Sequence, residues 1–339
     1  MQGKVSMVMP CFNKVNYIGE MFDSILAQKW GNIELIFVND GSTDGTRESI
    51  FEFESKFRAR GFEVVIIDQE NTGVCAAAKV GLEHVTGDYV CMVDADDELT
   101  QMYVSTMAEW LEHNSDCDYC VCGAIDYTGY GDKKSFKSDW ARGLHKDDMY
   151  LTEKYLLSVF RTTPWIYMLR TDYLHKCNII NTYYTAIRGS HEPAYIIPIL
   201  AYGGKFNYFP IPLYHFNING ESHSRSKQFE KMRQYHLEYY DLCRIAIDRL
   251  SDCVADQPRK KKMIDVSFVS AWIRIYRAAV KLSENKENSY EALKNLLNYV
   301  NDVLQLPNII SLEDIRGKEE DYFGRLRNFL LGQNSLEMK

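Results

Sequence analysis

Five short runs punctuate the first third of the chain: VSMVMP (5–10), IELIFVN (33–39), EVVIID (63–68), DYVCMVD (88–94) and DYCVCGA (118–124). Each is β-branched or aromatic and nearly continuous in apolar character, as strands buried on both faces are. Helical spacing fills the gaps between them. Tyr103, Met107, Trp110 and Leu111, for example, fall at i, i+4, i+7 and i+8, one face of a helix. Strands alternating with such helices predict an α/β fold with a mostly parallel, Rossmann-like sheet flanked by helices. Sheets of this kind bind ligands outside the carboxyl ends of their strands. Polar, turn-forming loops stand there: PCFNK (10–14), NDGSTDGT (39–46), DQENTG (68–73) and the acidic turn DADDE (94–98). One such loop is an ordinary strand end; four on one edge point to a ligand site.

Beyond about residue 226 the pattern becomes purely helical. Leu293, Leu296, Leu297, Val300 and Leu304 form one stripe, and Tyr235, Tyr239, Leu242 and Ala246 another. The organisation expected is a catalytic domain over 1–225, divided into halves at 125, and a helical C-terminal region over 226–339. Ordinary packing is the first reading of that region. The segment VSFVSAWIRIYRAAV (266–280) also offers a face to a partner subunit, as in a homo-oligomer, or to a membrane surface.

Composition narrows the function. The 339 residues carry a net charge of -8 with no concentrated basic face, which argues against nucleic-acid binding. The run RKKK (259–262) reads as a solvated loop or helix start. No stretch of about 18 apolar residues occurs and no charged leader precedes the first strand, so neither a membrane span nor a signal peptide is expected. Nine cysteines, odd in number and scattered through core runs, fit reduced thiols in a cytoplasmic protein. CDYCVC (117–122) lacks a second ligand pair at zinc spacing and alternates like a strand, so buried structural cysteine is expected there.

The loops suggest what is bound. Asp40 and Asp44 with Ser42 and Thr43 supply acceptors and hydroxyls suited to a base edge or ribose, while Gly41 and Gly45 permit tight turning. Neither a glycine-rich dinucleotide fingerprint after the first strand nor a P-loop is present. Phosphates therefore need another partner, and a hard divalent cation held by the acidic turn provides one. On an extended segment, Asp94 and Asp96 point the same way.

At this point the order and spacing of three pieces carry a resemblance. VSMVMPCFNKVNYIGEMFDSILAQ, IELIFVNDGSTDGT and NTGVCAAAKVGLEHVTGDYVCMVDADD look like a family 2 glycosyltransferase of GT-A fold over roughly the first 125 residues. The resemblance implies an inverting enzyme that uses a nucleotide-diphospho-sugar, often a UDP-sugar, with Mn2+ or Mg2+. It implies a donor site of Pro10, Phe12, Asn13, Asp40, Asn71, Lys79, Asp94, Ala95 and Asp96, with DAD as the D-x-D motif and Asp96 on the metal. One departure stands out: where family members often read SAARNxG, this chain has CAAAKVG (75–81), so Ala78 and Lys79 replace an Arg-Asn pair. A lysine is a flexible point charge without the planar fork of arginine.

The family's general base is usually the Asp of a Glu-Asp pair, and the best match is GSHEPAYIIPIL (189–200). Glu192 takes the position of the base and His191 that of its neighbour on the acceptor side. Glu192 also reads as a helix N-terminal residue before Pro193. In TTPWIYMLRTDYL (162–174), Trp165 is a candidate to stack on an acceptor sugar, with core packing as the rival reading. In PLYHFNINGESHSRS (212–226), His215, His223 and Arg225 are candidates to meet the metal or diphosphate. The function expected is transfer to a saccharide or lipid-linked glycan in cell-surface polysaccharide synthesis, in the cytoplasm or at the inner face of the membrane. The alternatives are a polyprenyl-phosphate glycosyltransferase, a nucleotidyltransferase and a non-catalytic nucleotide-sugar-binding subunit.

Overall fold

The computed structural model describes residues 2–128, 134–137, 140, 141, 144, 150–185, 190–218, 227–252, 254–283, 285–304 and 311–332. The chain divides into two compact units, one of residues 1–149 and 160–219 and one of residues 150–159 and 220–339. Residues 150–159 lie within the expected catalytic domain in sequence but cluster with the second unit.

Among the described residues, the first unit is built on a nine-stranded sheet. In chain order it runs β1 (Val5–Cys11), α1 (Ile18–Leu26), β2 (Ile33–Asp40), α2 (Thr46–Ala59), β3 (Glu63–Gln69), α3 (Val74–Glu83), β4 (Tyr89–Met92), β5 (Glu98–Leu99), α4 (Tyr103–His113), β6 (Tyr119–Thr128) and β7 (Lys134–Lys137). After an excursion into the second unit come β8 (Tyr167–Arg170), α6 (Thr171–Lys176), α7 (Ile179–Thr182), α8 (Glu192–Tyr202) and β9 (Phe206–Ile218); α5 (Leu151–Leu156) belongs to the excursion. The strand order is β3-β2-β1-β4-β8-β6-β9-β5, with β7 beside β6.

Strands β3, β2, β1 and β4 pair in parallel, as the strand–helix alternation requires. The other half is mixed: β8 runs antiparallel to β4 and β6, β9 runs parallel to β6, and β5 closes against β9 antiparallel. The expectation of a mostly parallel sheet therefore holds for the half built from β1 to β4. A strand buried on both faces has the same apolar run whichever way it points, so the reversal at β8 left no trace in the pattern. The β6–β9 register shifts at Gly123, where a Cβ would stand 3.0 Å from the Ile211 carbonyl oxygen. Glycine admits the close approach of the bulge.

Two helices are seated by particular residues. In α3, Cys75, Ala76, Ala77, Ala78 and Gly81 face inward. A Cβ at Gly81 would lie 2.4 Å from Val8 Cγ1, so the helix rides close on β1. Helix α8 contains Pro198, which has no N–H for the Ala194 carbonyl one turn back. The Thr182 hydroxyl donates to that carbonyl instead.

The second unit is helical: α5, then α9 (Phe229–Asp248), α10 (Gln257–Leu282), α11 (Lys286–Asp302), α12 (Leu312–Ile315) and α13 (Glu319–Leu330). The run RKKK opens α10 beneath an Asp256 cap that accepts the Arg259 amide. Lys260 pairs with Asp252 at 2.8 Å and Lys261 with Asp265 at 2.8 Å, so this run is a helix start. Segment 266–280 forms the middle of α10, with Val266, Val269, Ile273 and Ile275 buried and Val280 exposed. The stripe of Leu293, Leu296, Leu297 and Val300 is buried on α11, where Tyr299 stacks on Phe268 of α10 at 3.8 Å. No described helix is long and apolar enough to cross a membrane.

Candidate active site

The four polar loops do meet, because they bond one another. Asn13 takes a left-handed φ of 50° after β1; its amide donates to Ser42 Oγ at 3.1 Å and its Oδ1 accepts the Thr43 amide at 2.9 Å. The Lys14 amide donates to Thr46 Oγ1 at 2.6 Å and the Val15 amide to Asp44 Oδ2 at 3.1 Å. Burial alone would raise the Asp44 carboxyl, but bonds from the Thr46 hydroxyl and the Val15 and Thr46 amides outweigh it and hold it low.

Asp40 ties the second loop to the third. Its Oδ1 accepts Gln69 Nε2 at 2.7 Å and the Thr72 amide at 2.9 Å, and its Oδ2 accepts the Gly73 amide at 2.9 Å. Asn71 Nδ2 returns a bond to the Asp40 carbonyl oxygen at 3.1 Å. Gly41 has φ +68°, and a Cβ there would lie 2.7 Å from the Asn71 nitrogen, so the turn needs glycine twice over. Pro10 is half-buried and Phe12 is exposed at this edge.

The acidic turn hangs between β4 and β5 and is pinned from β9. The Asp94 amide donates to the Tyr214 hydroxyl at 3.1 Å, which donates in turn to Asp97 Oδ2 at 2.8 Å. The Asn217 amide donates to Asp97 Oδ1 at 2.7 Å, and Asn217 Nδ2 donates to the Asp96 carbonyl oxygen at 3.0 Å. Asp97 and Ala95 are buried. Burial, then repulsion from Asp96 and Asp94, pushes the Asp97 carboxyl well above its ordinary range. Asp97 is thus the turn's internal anchor, and Asp94 and Asp96 are its half-buried pair.

Lys14 crosses from the first loop to this pair, with its ammonium 2.6 Å from Asp96 Oδ2. Burial and the charge of Asp96 raise the Asp94 carboxyl to about 7; Lys14 opposes the rise and Glu192 adds to it. Glu192 therefore shares the electrostatic field of the acidic pair although it lies about a hundred residues away. It is the first residue of α8, its Oε1 accepts the Thr163 hydroxyl at 3.4 Å, and its amide donates to Ser190 Oγ at 3.2 Å. The helix-start reading and nearness to the acidic pair hold together.

The other candidate residues have surroundings of their own. Trp165 is 3% exposed, stacked with Tyr214 at 4.2 Å and Phe216 at 5.6 Å, so it presents no open face to a sugar. His191 is 7% exposed, and burial pushes its pKa down to about 4, leaving a neutral interior ring where an acceptor contact was expected. His215 sits opposite Glu98 in the β5–β9 pairing, with its ring edge-on to Tyr127 at 5.0 Å. Among the described residues, no three His, Cys, Asp or Glu side chains gather at metal-holding spacing. Ala78 is fully buried, and Lys79 lies 3.8 Å from Glu83 one turn along α3. His223 and Arg225 fall outside the described residues.

Sequence reasoning missed Tyr214, Asn217 and the Lys14–Asp96 pair. Lys14 stands in a loop already marked as polar, but nothing local joins it to a carboxylate 82 positions away. Two carboxylates that repel one another, one already holding an ammonium, have the chemistry of part of a donor set for a hard divalent cation, which phosphate oxygens of a ligand would complete.

A half-parallel sheet whose loops converge on an Asp-x-Asp turn, with a carboxylate entering from a later helix, is the architecture of the GT-A transferases. The sequence model described as "Glycosyl transferase family 2" matches residues 6–177, and the chain belongs to that family. It is 40% identical over 104 residues to the glycosyltransferase GlyA of Streptococcus pneumoniae, a match covering 31% of this chain and 14% of GlyA. Against the glycosyltransferase YibD of Escherichia coli it is 26% identical over 259 residues, 75% of this chain and 73% of YibD. Among solved structures, residues 1–349 of Staphylococcus aureus TarS in complex with UDP-GlcNAc align with a TM-score of 0.62 at 16% identity, covering 97% of this chain and 92% of that one. The mannosyltransferase PcManGT of Pyrobaculum calidifontis, in complex with GDP-Man and Mn2+, aligns at 0.51 and 12% identity, covering 98% and 86%.

Proposed function

We propose that this chain is an inverting, metal-dependent glycosyltransferase that moves a sugar from a nucleotide-diphospho-sugar to a saccharide or lipid-linked glycan during cell-surface polysaccharide synthesis. What carries the reading is the acidic turn of Asp94 and Asp96, held by Lys14 beside the cross-bonded loops of a family 2 chain, with Glu192 adding to the repulsion on Asp94. UDP-GlcNAc bound to TarS supports a UDP-sugar donor.

In this reading the base and ribose lie along Pro10, Phe12, Asn13, Asp40 and Asn71, where Phe12 offers an exposed ring for stacking. Asp96 holds the divalent ion and Asp94 faces the nucleotide. The ion, when bound, offsets the charge of the departing diphosphate. An inverting transfer is a single displacement, so one base suffices: Glu192 accepts the proton of the acceptor hydroxyl as oxygen attacks the anomeric carbon. The Thr163 hydroxyl donates to Glu192 Oε1 at 3.4 Å, and the side chain stands at the N-terminus of α8. Work at the inner face of the membrane is part of the same proposal and accords with a lipid-linked acceptor.

A thermal-shift screen of UDP, GDP, ADP and CDP, each with and without Mn2+, tests the donor site. Stabilisation by one nucleotide that grows with Mn2+ is the expected result. No metal-dependent stabilisation by any of them would overturn the proposal.

A further inference from the structure

The geometry points to Lys14 as the resident cation of the donor site: it holds Asp96 in the donor-free protein, yields that carboxylate to the divalent ion, and then serves the donor's diphosphate. This rests on the donor-site reading above. Four observations carry it.

The ammonium lies 2.6 Å from Asp96 Oδ2, on the carboxylate assigned to the metal, and both side chains are largely shielded, at 27% and 19% exposure. A divalent ion on that carboxylate would repel the ammonium held 2.6 Å from Asp96 Oδ2, so binding of the ion favours release of the lysine. Next, the backbone of Lys14 is fixed. Its amide is bonded to Thr46 Oγ1 at 2.6 Å and the loop is knitted to NDGSTDGT, so only the four-carbon stem is left to move. The displaced ammonium stays at the site.

Third, charge favours keeping it there. Asp96 and Glu192 already repel the charge of Asp94. The nucleoside diphosphate released on transfer carries more negative charge than a single divalent ion offsets, and a mobile ammonium is the compact donor suited to its phosphate oxygens. Fourth, the other lysine considered for this site, Lys79, is engaged with Glu83 on α3.

The experiment titrates Mn2+ into the full chain without nucleotide and reads the free ion by electron paramagnetic resonance. Lys14→Met is expected to bind Mn2+ about fivefold tighter than the parent, the gain from removing one partly shielded ion-pair partner. Lys14→Arg keeps a competing cation and should stay within about twofold. At saturating Mn2+, calorimetry should show UDP binding Lys14→Met about tenfold more weakly, as loss of one charge-assisted bond gives. Equal or weaker Mn2+ binding by Lys14→Met overturns the exchange, and unchanged UDP affinity overturns the diphosphate contact. Parent protein that binds UDP with Mn2+ leaves the donor-site reading standing in both cases. Parent protein that binds neither overturns that reading and the role of Lys14 with it.

Discussion

The Tyr214 hydroxyl donates to the Asp97 carboxylate at 2.8 Å in a place closed to solvent, and so fastens the acidic turn to β9. A buried carboxylate stripped of a donor costs more than an ordinary hydrogen bond is worth. Tyr214→Phe also strands the Asp94 amide, which donates to the same hydroxyl. Urea unfolding should show a loss of about 2–3 kcal/mol. Asp97→Ala should lose at least as much, because it leaves both the hydroxyl and the Asn217 amide unmatched.

Glu192→Gln removes the proposed base and keeps its shape. Turnover with a cognate acceptor should fall about 10²- to 10⁴-fold, with UDP affinity close to that of the parent. Transfer that survives at parental rate would remove Glu192 from the chemistry and leave it as a helix start alone.

Gly41→Ala places a methyl group against the Asn71 backbone in a left-handed turn. The strain and the contact together should cost about 2–3 kcal/mol in thermal or urea unfolding. Because the displaced residue lies in the third loop, the variant should also bind UDP more weakly, read in the same calorimeter.

Acid should weaken the protein through His191. Its ring protonates near 4 in the folded chain and near 6.5 in the unfolded one. Between those values the unfolded state binds more protons, so this contribution is complete above 6.5 and is lost as pH falls toward 4. His191→Asn should flatten that dependence, saving about 2 kcal/mol of the loss between pH 7 and 4.5. His236, pushed down to about 4 by burial and by Arg274, carries the same sign in the helical unit and remains as background in the variant.

The parallel half of the fold and its four loops were legible because each strand is a continuous apolar run and each loop follows its strand directly. Strand β5 was not, since two residues cannot display a period. Trp165 shows why acceptor contacts resist sequence reading: an aromatic in an apolar segment has the same surroundings in the chain whether it meets a sugar or the Tyr214 ring. Asp94 and Asp96 were visible because carboxylates at i and i+2 after a strand have few structural reasons to exist. The ammonium facing them was not, because a contact across 82 positions leaves nothing in the local pattern.

The cross-bonding of Asn13 with Ser42 and Thr43, and of Asp40 with Thr72 and Gly73, has a thermodynamic consequence for ligand capture. Loops that already satisfy one another lose their conformational entropy when the chain folds, not when a nucleotide arrives. Nucleotide capture by these loops should therefore resemble docking onto a rigid cleft. Its heat-capacity change should match the apolar surface of one base and ribose, without the large negative excess that coupled folding produces.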